Sequence, residues 1–194
     1  INVGLVGSEM CIRDRSITML GSKINIWYMH GNRDFLISKK ICKDLNMKLL
    51  KDPTVILKNE LKLLLLHGDT LCTDDKEYQN FRSLVRSEEW QTKMLSKSLE
   101  ERLSLAENLR MKSINANAHK DENIMDVNIR EIDLLIDNYK PDIIIHGHTH
   151  RPNIHTHESE EKNIYRYVLG DWYDRFFILS LKNRGFVVSK GNLK

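Results

Sequence analysis

The sequence predicts a mixed α/β domain whose functional side chains lie on loops at the ends of strands. Short β-branched and apolar runs, typical of buried strands, alternate with stretches in which apolar residues recur every three or four positions, typical of amphipathic helices. Two strand-like runs, Leu61–Leu66 and Ile143–Ile145, lead directly into a His-Gly pair. With 194 residues, of which 41% are hydrophobic and 29% charged, the chain can form one domain with a substantial core.

The composition excludes several classes of protein. The net charge is only +3, and no dense Lys/Arg block gives a nucleic-acid-binding signature. The three cysteines include no C-x-x-C pair, which favours a reducing compartment over a disulfide framework or a zinc knuckle. The longest dense apolar run, Leu61–Leu66, is far shorter than the roughly 18 residues of a membrane-spanning helix, although peripheral membrane contact stays possible.

The first 16 residues do not fit the pattern of the rest. They show neither the period of a strand nor that of a helix, and the run Leu5–Asp14 resembles a translated sequencing adapter. We therefore expect residues 1–16 to be non-native and residues 17–194 to form a single domain from a truncated reading frame.

The first half of the chain reads as a strand, a helix and a hairpin. Ile24–Met29 has the composition of a strand, and residues 35–46 have helical spacing. Thr54–Lys58 and Leu61–Leu66 flank the pair Asn59-Glu60, which predicts a hairpin with a two-residue turn.

The second half predicts a helical insertion between strands. Residues 77–117 are amphipathic, so we expect an insertion or cap over about residues 77–120. Asp126 is expected to cap the next helix, which reaches Tyr139 and ends before Pro141. Three short strands are predicted over residues 165–169, 176–181 and 186–189, and His155 and His157 are expected in a polar loop.

Ligand-type side chains follow three of the predicted strands. Asn32 lies after the first strand and His67 after a later one, while His148 and His150 are two positions apart and can share a face. Because open α/β sheets bind ligands at the carboxyl ends of strands, these loops can converge. A mixed oxygen and imidazole set suits Mn²⁺, Fe²⁺ or Zn²⁺, and four ligands on three loops suit two ions, the arrangement that hydrolyses phosphate esters.

Several neighbouring residues have a simpler reading than metal ligation. His30 and His146 precede the glycines and are expected to be packed or hydrogen-bonded. Asp34 and Asp69 are expected to form turns or to support ligands. Cys72 is expected to be a packed thiol, because no adjacent base is identifiable.

These motifs resemble a known family. Gly31–Asp34, His67–Asp69 and Gly147–His150 resemble the calcineurin-like metallophosphoesterases, a fold described as a mixed-sheet sandwich. Four longer blocks are similar, more narrowly, to the UDP-2,3-diacylglucosamine diphosphatase family of lipid A biosynthesis, from about Ile24 to the C-terminus. The blocks are His30–Leu36, Leu66–Asp75, Ile124–Asn128 and His146–Pro152.

The resemblance implies a role for each matched residue. Asn32, His67 and His148 would bind one Mn²⁺ and His150 a second, and Arg33 would act catalytically by offering a charged fork to the phosphate. The implied reaction converts UDP-2,3-diacylglucosamine into UMP and 2,3-diacylglucosamine 1-phosphate. The implied substrate-binding residues are Asn32, Arg33, Asp75, Ser113, Asn117, Lys120 and His148.

The chain also departs from the family pattern. The family's Asp-x-His block and its bridging Gly-Asp block have no match, and the only acidic residues before Asp34 are Glu9 and Asp14. The first strands of the family fold are therefore expected to be missing, and one of the two ions to be poorly bound. We predict weak metal binding and little turnover by this chain.

Two other functions stay open on these residues. The chain could hydrolyse another nucleotide diphosphate, or it could be a non-catalytic remnant that binds lipid. The helical insertion corresponds to the family's lipid-binding cap, yet Leu95, Leu99 and Leu103 are equally compatible with ordinary helix packing. A lipid substrate implies a peripheral position on the cytoplasmic face of a bacterial inner membrane, with no nucleic-acid or protein partner inferred.

Overall fold

The computed structural model describes residues 14–117, 120, 124–159, 162–182 and 185–193. The chain divides into two compact units, residues 1–54 and 55–194. Of the segment expected to be non-native, residues 1–13 lie outside the described part, and residues 14–21 are helical. The expected boundary after residue 16 therefore stays a prediction.

The first unit contains a short parallel pair of strands. Strands β1 (Ile26–Tyr28) and β2 (Met47–Leu49) pair in parallel and are connected through helix α1 (Lys39–Asp44). The side chain of Ser38 caps α1 by accepting a hydrogen bond from Ile41 N at 3.2 Å. The predicted strand and helix are confirmed as β1 and α1, each shorter than predicted. Strand β2 was not predicted, because three residues are too few to establish a period.

The second unit is built on a five-stranded mixed sheet with the order β3-β4-β5-β7-β6. Strands β4, β5 and β7 are parallel, and β6 runs antiparallel to β7 at the edge. A separate antiparallel hairpin, β8-β9, follows the sheet. The strand bounds are β3 Thr54–Lys58, β4 Leu61–Leu65, β5 Ile143–His146, β6 Asn153–Glu158, β7 Asn163–Val168, β8 Arg175–Lys182 and β9 Gly185–Asn192.

The predicted β3-β4 hairpin is confirmed, with its two-residue turn at Asn59-Glu60. Both turn residues have positive φ, 51° and 65° respectively. Two positive φ values are what a type I′ turn requires, and this turn matches the right-handed twist of the strands. Asparagine tolerates this backbone better than glutamate does.

The region of the predicted helical insertion contains three helices. These are α2 (Lys76–Val85), α3 (Glu88–Leu95) and α4 (Leu99–Asn117). Ser98 starts α4 with a reciprocal capping box: its hydroxyl accepts from Glu101 N at 3.2 Å, and Glu101 accepts from Ser98 N at 2.9 Å. Every helix among the described residues is too short or too polar to cross a membrane.

The cap assigned to the helix before β5 was wrong by two residues. Helix α5 (Ile129–Tyr139) is capped by Asn128, whose side-chain oxygen accepts from Arg130 N at 2.9 Å. Asp126 instead accepts from Arg151 at 2.7 Å. The helix ends at Tyr139, and its C-cap residue Lys140 adopts the left-handed conformation directly before Pro141. One face of α5 forms the core against the sheet, with Ile132 and Ile136 packed among Leu64, Leu66, Leu71, Ile144 and Ile164.

The expectation of a polar loop at His155 and His157 was also wrong. Both residues lie in β6, an edge strand in which every residue except Ile154 is polar. An edge strand has one ladder open to water, so it can carry polar residues that read as a loop in the sequence.

Candidate active-site loops

His67 and His148 come from adjacent parallel strands. The register pairs Leu65 of β4 with Ile145 of β5, so both strands end at the same edge of the sheet. The two imidazole centroids are 5.0 Å apart, with ring planes at 68°. The structure thus brings together two of the three loops that the sequence singled out.

The two His-Gly loops are also tied through their backbones. Gly147 N donates to His67 O at 2.9 Å. Gly68 has a φ of +112°, and a Cβ there would lie 2.9 Å from Nδ1 of His146 and 3.0 Å from Gly147 O. Both the backbone conformation and the contact therefore require glycine at position 68.

His148 lies on a tight turn and is held as a neutral imidazole. Its φ is +66°, and Thr149 N donates across it to Gly147 O at 2.8 Å. Burial, together with the neighbouring His67, lowers the pKa of His148 to about 4. Within the described residues, its Nδ1 has no hydrogen-bond partner. A neutral ring with an available nitrogen is the form of histidine that binds metals.

His150 occupies a more open position. Its side chain is 47% exposed, and Nδ1 lies 3.4 Å from a carboxylate oxygen of Asp171. Asp171 follows β7, the third parallel strand, and was missed by the sequence reasoning. Its signal was the pair Gly170-Asp171 at the end of a strand-like run, the same arrangement that drew attention to His67 and Asp69.

Asn32 and Arg33 lie in the loop after β1, within the first unit, whereas the three histidines belong to the second. Asn32 is half-buried and Arg33 is exposed. Asp34 closes the start of this loop by accepting from Gly31 N. His30 donates from Nε2 to Ile37 O at 2.7 Å.

Asp69 is a fully buried carboxylate held by helix α2. Its Oδ2 accepts from Tyr78 Oη and from Arg82 Nε, both at 2.8 Å. Burial raises the pKa of Asp69, but the charge and hydrogen bond of Arg82 and the hydroxyl of Tyr78 outweigh it, so the pKa is lowered. Tyr78 also stacks at 5.5 Å on the ring of His148, so it joins this carboxylate to the histidine loop.

Tyr78 and Arg82 were not found from the sequence. They lie four positions apart on a helix, where polar residues ordinarily face water. The sequence offers only their spacing within the amphipathic run. This spacing does not show whether a polar side chain faces water or binds a buried carboxylate.

Asp75 and Lys120 form a close pair, although 45 positions separate them. Lys120 Nζ donates to the two carboxylate oxygens of Asp75 at 2.8 and 2.9 Å and lies 3.2 Å from Glu77. Burial by itself would lower the pKa of Lys120. The two carboxylates have the larger effect, so the pKa of Lys120 is raised. Ser113 is exposed on α4, and Asn117 ends that helix, with its side chain outside the described part.

Cys72 is buried, and its thiol lies 3.5 Å from Met125 O. Burial and the neighbouring carboxylates raise its pKa to about 12. The sulfur is therefore a protonated thiol at neutral pH, which is a poor nucleophile.

The donor set of a metal site is incomplete in the described part of the chain. Among those residues, no three His, Cys, Asp or Glu side chains form a group that could hold a metal ion. The His67–His148 pair supplies imidazoles, but no carboxylate from the described residues completes the set.

Comparison with known proteins identifies the family. Residues 10–152 match the calcineurin-like phosphoesterase family. The UDP-2,3-diacylglucosamine hydrolase of Chromohalobacter salexigens is 42% identical over 147 residues, which are 76% of this chain and 60% of that protein. The UDP-2,3-diacylglucosamine hydrolase of Sodalis glossinidius is 37% identical over 180 residues, 93% of this chain and 73% of that protein.

The solved structure of an archaeal phosphodiesterase aligns with this chain at a TM-score of 0.45 and 14% identity. The alignment covers 91% of this chain and 74% of the phosphodiesterase. The chain spans between 60% and 73% of the length of the two hydrolases it matches. The α/β fold class and the resemblance based on the motifs are confirmed. The chain therefore belongs to the calcineurin-like phosphoesterase family, and its relatives there carry the name UDP-2,3-diacylglucosamine hydrolase.

Proposed function

We propose that this chain serves the hydrolysis of the pyrophosphate of UDP-2,3-diacylglucosamine, which yields UMP and 2,3-diacylglucosamine 1-phosphate for lipid A biosynthesis. The observation that carries the proposal is the 37% to 42% identity to hydrolases named for that substrate. The function of the whole relatives is extended here to a chain that spans only part of their length.

The paired His-Gly loops support the proposal. Two parallel strands deliver His67 and His148 to one edge of the sheet, where α/β proteins bind their ligands. The Asp75–Lys120 pair supplies a buried carboxylate and a cation beside the helical insertion, which suits the sugar hydroxyls and the phosphate of the substrate.

Arg33 is our proposed catalytic residue. Its guanidinium is permanently charged, and its planar fork can hold two oxygens of a phosphate while charge develops there. Asn32 is proposed to bind the substrate beside it, together with His148, Asp75, Ser113, Asn117 and Lys120.

Membership of this family implies the use of a divalent metal. We propose Mn²⁺, with Asn32, His67 and His148 at one ion and His150 at the other. The donor set within the described residues does not complete such a site, so we assign no reaction step to the metal and expect this chain to bind Mn²⁺ weakly. Mn²⁺ titration followed by electron paramagnetic resonance measures the affinity, and two tightly bound ions would contradict the expectation.

Peripheral binding to the cytoplasmic face of the inner membrane is a further part of the proposal. Leu95, Leu99 and Leu103 are 50%, 64% and 57% exposed, so they do not serve as ordinary buried packing among the described residues. Exposed leucines suit contact with acyl chains. Leu99→Ser is expected to weaken co-sedimentation with phospholipid vesicles, whereas Leu57→Ser, at an even more exposed leucine on β3, is expected to leave it unchanged.

Ligand binding separates this function from its competitors without requiring turnover. The chain is expected to bind UDP-2,3-diacylglucosamine more tightly than UDP-N-acetylglucosamine, measured by tryptophan fluorescence. Lys120→Met is expected to weaken binding roughly tenfold, the effect of losing one charge-assisted hydrogen bond, and Lys140→Met serves as the exposed control. Equal affinity for both nucleotides would favour a phosphoesterase of different substrate range.

A further inference from the structure

Arg166 of β7 is a buried cation whose side-chain hydrogen bonds, within the part of the chain that the structure describes, go to two histidines. It is 3% exposed, and a buried guanidinium is costly unless its donors are satisfied. Its Nε donates to Nε2 of His157 at 3.1 Å, and one terminal nitrogen donates to Nε2 of His146 at 2.9 Å. Two neutral imidazoles therefore accept the hydrogen bonds of a charged group.

This contact fixes the tautomer of His146. A guanidinium can only donate, so Nε2 of His146 must present its lone pair, and the ring proton must lie on Nδ1. That Nδ1 is 3.0 Å from Gly147 O, to which it donates. The orientation of His146 is thereby set from both sides of its ring.

The carbonyl of Gly147 carries the effect to the next residue. It accepts a second hydrogen bond, from Thr149 N at 2.8 Å, and this bond closes the turn centred on His148. The φ of +66° at His148 is unfavourable for a residue with a side chain and persists only where the surroundings hold it. Arg166, His146 and Gly147 O thus form one continuous chain of contacts that ends at this turn.

We propose that Arg166 is a positioning residue for His148, acting through His146 and the carbonyl of Gly147. An apolar side chain could occupy the same place without the cost of burying a charge, so the directional hydrogen bonds are what the arginine adds. That this positioning matters for catalysis rests on the proposed function. The effect of Arg166 on the backbone conformation of His148 does not rest on that function, because this conformation is measured without substrate.

The test is nuclear magnetic resonance on the full chain with ¹⁵N- and ¹³C-labelled histidine. In the unmodified protein, His146 is expected to carry its proton on Nδ1, and rings 67 and 148 are expected to show mutual nuclear Overhauser contacts. In Arg166→Met, we expect loss of those contacts and a shift of the His148 backbone carbons away from left-handed values. Arg130→Met removes an exposed arginine from α5 and is expected to change neither readout.

Two results would overturn the proposal. One is a proton on Nε2 of His146 in the unmodified protein, because Arg166 could not then donate to it. The other is an Arg166→Met protein that unfolds at a lower temperature yet keeps its His148 shifts and ring contacts, which is the behaviour of a purely structural residue. If Arg166→Met does not fold, His146→Gln decides instead. This variant keeps an acceptor for the guanidinium but loses the ring Nδ1–H. Unchanged His148 shifts in His146→Gln would also overturn the proposal. The proposed function fails separately: an unmodified protein that shows the Nδ1 proton on His146 and the ring contacts, yet does not bind UDP-2,3-diacylglucosamine, would count against that function and leave the positioning role of Arg166 intact.

Discussion

Asp69 shows how a single buried charge connects a helix to the histidine loops. Its Oδ2 receives the Tyr78 hydroxyl and the Arg82 guanidinium, and the ring of Tyr78 lies against His148. Burial and the Asp69 charge raise the pKa of Tyr78, so its hydroxyl keeps its proton and donates throughout the neutral range. A side chain from α2 therefore contacts both the buried carboxylate of Asp69 and the ring of His148.

Tyr78→Phe tests the hydrogen bond to Asp69. Loss of a donor to a buried carboxylate is expected to lower the free energy of unfolding by roughly 1.5–3 kcal/mol. Urea unfolding followed by circular dichroism measures the change. Tyr165→Phe, at a more exposed tyrosine on β7, is the matched control and is expected to change stability by less than about 0.5 kcal/mol. If the two substitutions changed the free energy of unfolding equally, the hydrogen bond from Tyr78 to Asp69 would contribute nothing specific to stability.

At the scale of the elements, the β3-β4 turn contains a residue poorly suited to its backbone. Glu60 adopts a φ of +65°, at which glycine avoids a cost of roughly 1–2 kcal/mol. Glu60→Gly is therefore expected to raise the midpoint of urea unfolding, despite the greater entropy that glycine has in the unfolded chain. Lys58→Gly makes the same kind of change at an extended position in β3 and is expected to lower the midpoint. A decrease in both proteins would contradict the turn conformation.

The start of β5 carries a pH-dependent contact. Asp142 accepts from Lys62 N at 2.7 Å and from Lys162 Nζ. Burial raises the pKa of Asp142, but the hydrogen bonds from Lys162 and the Lys62 backbone outweigh it and lower the pKa. A lowered carboxyl pKa contributes stability that is fully present above the unfolded-state value of about 3.9 and is lost as the pH falls through the folded-state value.

Asp142→Asn is accordingly expected to be less stable than the parent at pH 7 and to approach it at pH 3. Urea midpoints across this range measure the difference. Asp137→Asn removes an exposed carboxylate paired with Lys140 and is expected to change little at either pH. A deficit in Asp142→Asn that does not shrink at low pH would contradict the assigned contact.

The elements also show what the sequence could and could not predict. Strands β4 and β5 and helix α5 were predictable, because their apolar residues follow the period of a buried element. Strand β6 was not, since its nearly continuous run of polar residues resembles a loop, and β2 is too short to show a period. Asp126 was predicted as the N-cap of α5, whereas the structure has Asn128 there. Both residue types are good N-caps, and only the geometry decides which side chain reaches the first turn.

The same division holds for the candidate site. His67 and His148 were recognisable because each follows an apolar strand and precedes a glycine. Tyr78, Arg82 and Arg166 were not, because their importance comes from partners distant in the sequence and from burial that no local pattern reveals. Long-range contacts of this kind become visible only once the chain is folded.

At the scale of the whole molecule, the chain combines loops typical of its family with a donor set that, among the described residues, does not complete a metal site. Its relatives carry the name UDP-2,3-diacylglucosamine hydrolase, yet the Asp-x-His block expected from the resemblance has no counterpart in this sequence. Substrate recognition and turnover are therefore expected to separate in this chain. Binding should persist through the Asp75–Lys120 region, whereas hydrolysis should require the absent donors.

The most direct test is the release of UMP from UDP-2,3-diacylglucosamine in the presence of Mn²⁺. We would compare this chain with a fusion in which residues 1–16 are replaced by an N-terminal segment that supplies the Asp-x-His and Gly-Asp blocks expected from the resemblance. The predicted result is little release by this chain and clear release by the fusion, abolished in the fusion by His148→Ala. A folded, Mn²⁺-loaded fusion that releases no UMP would contradict the proposed substrate, and rapid release by this chain alone would contradict the incomplete site.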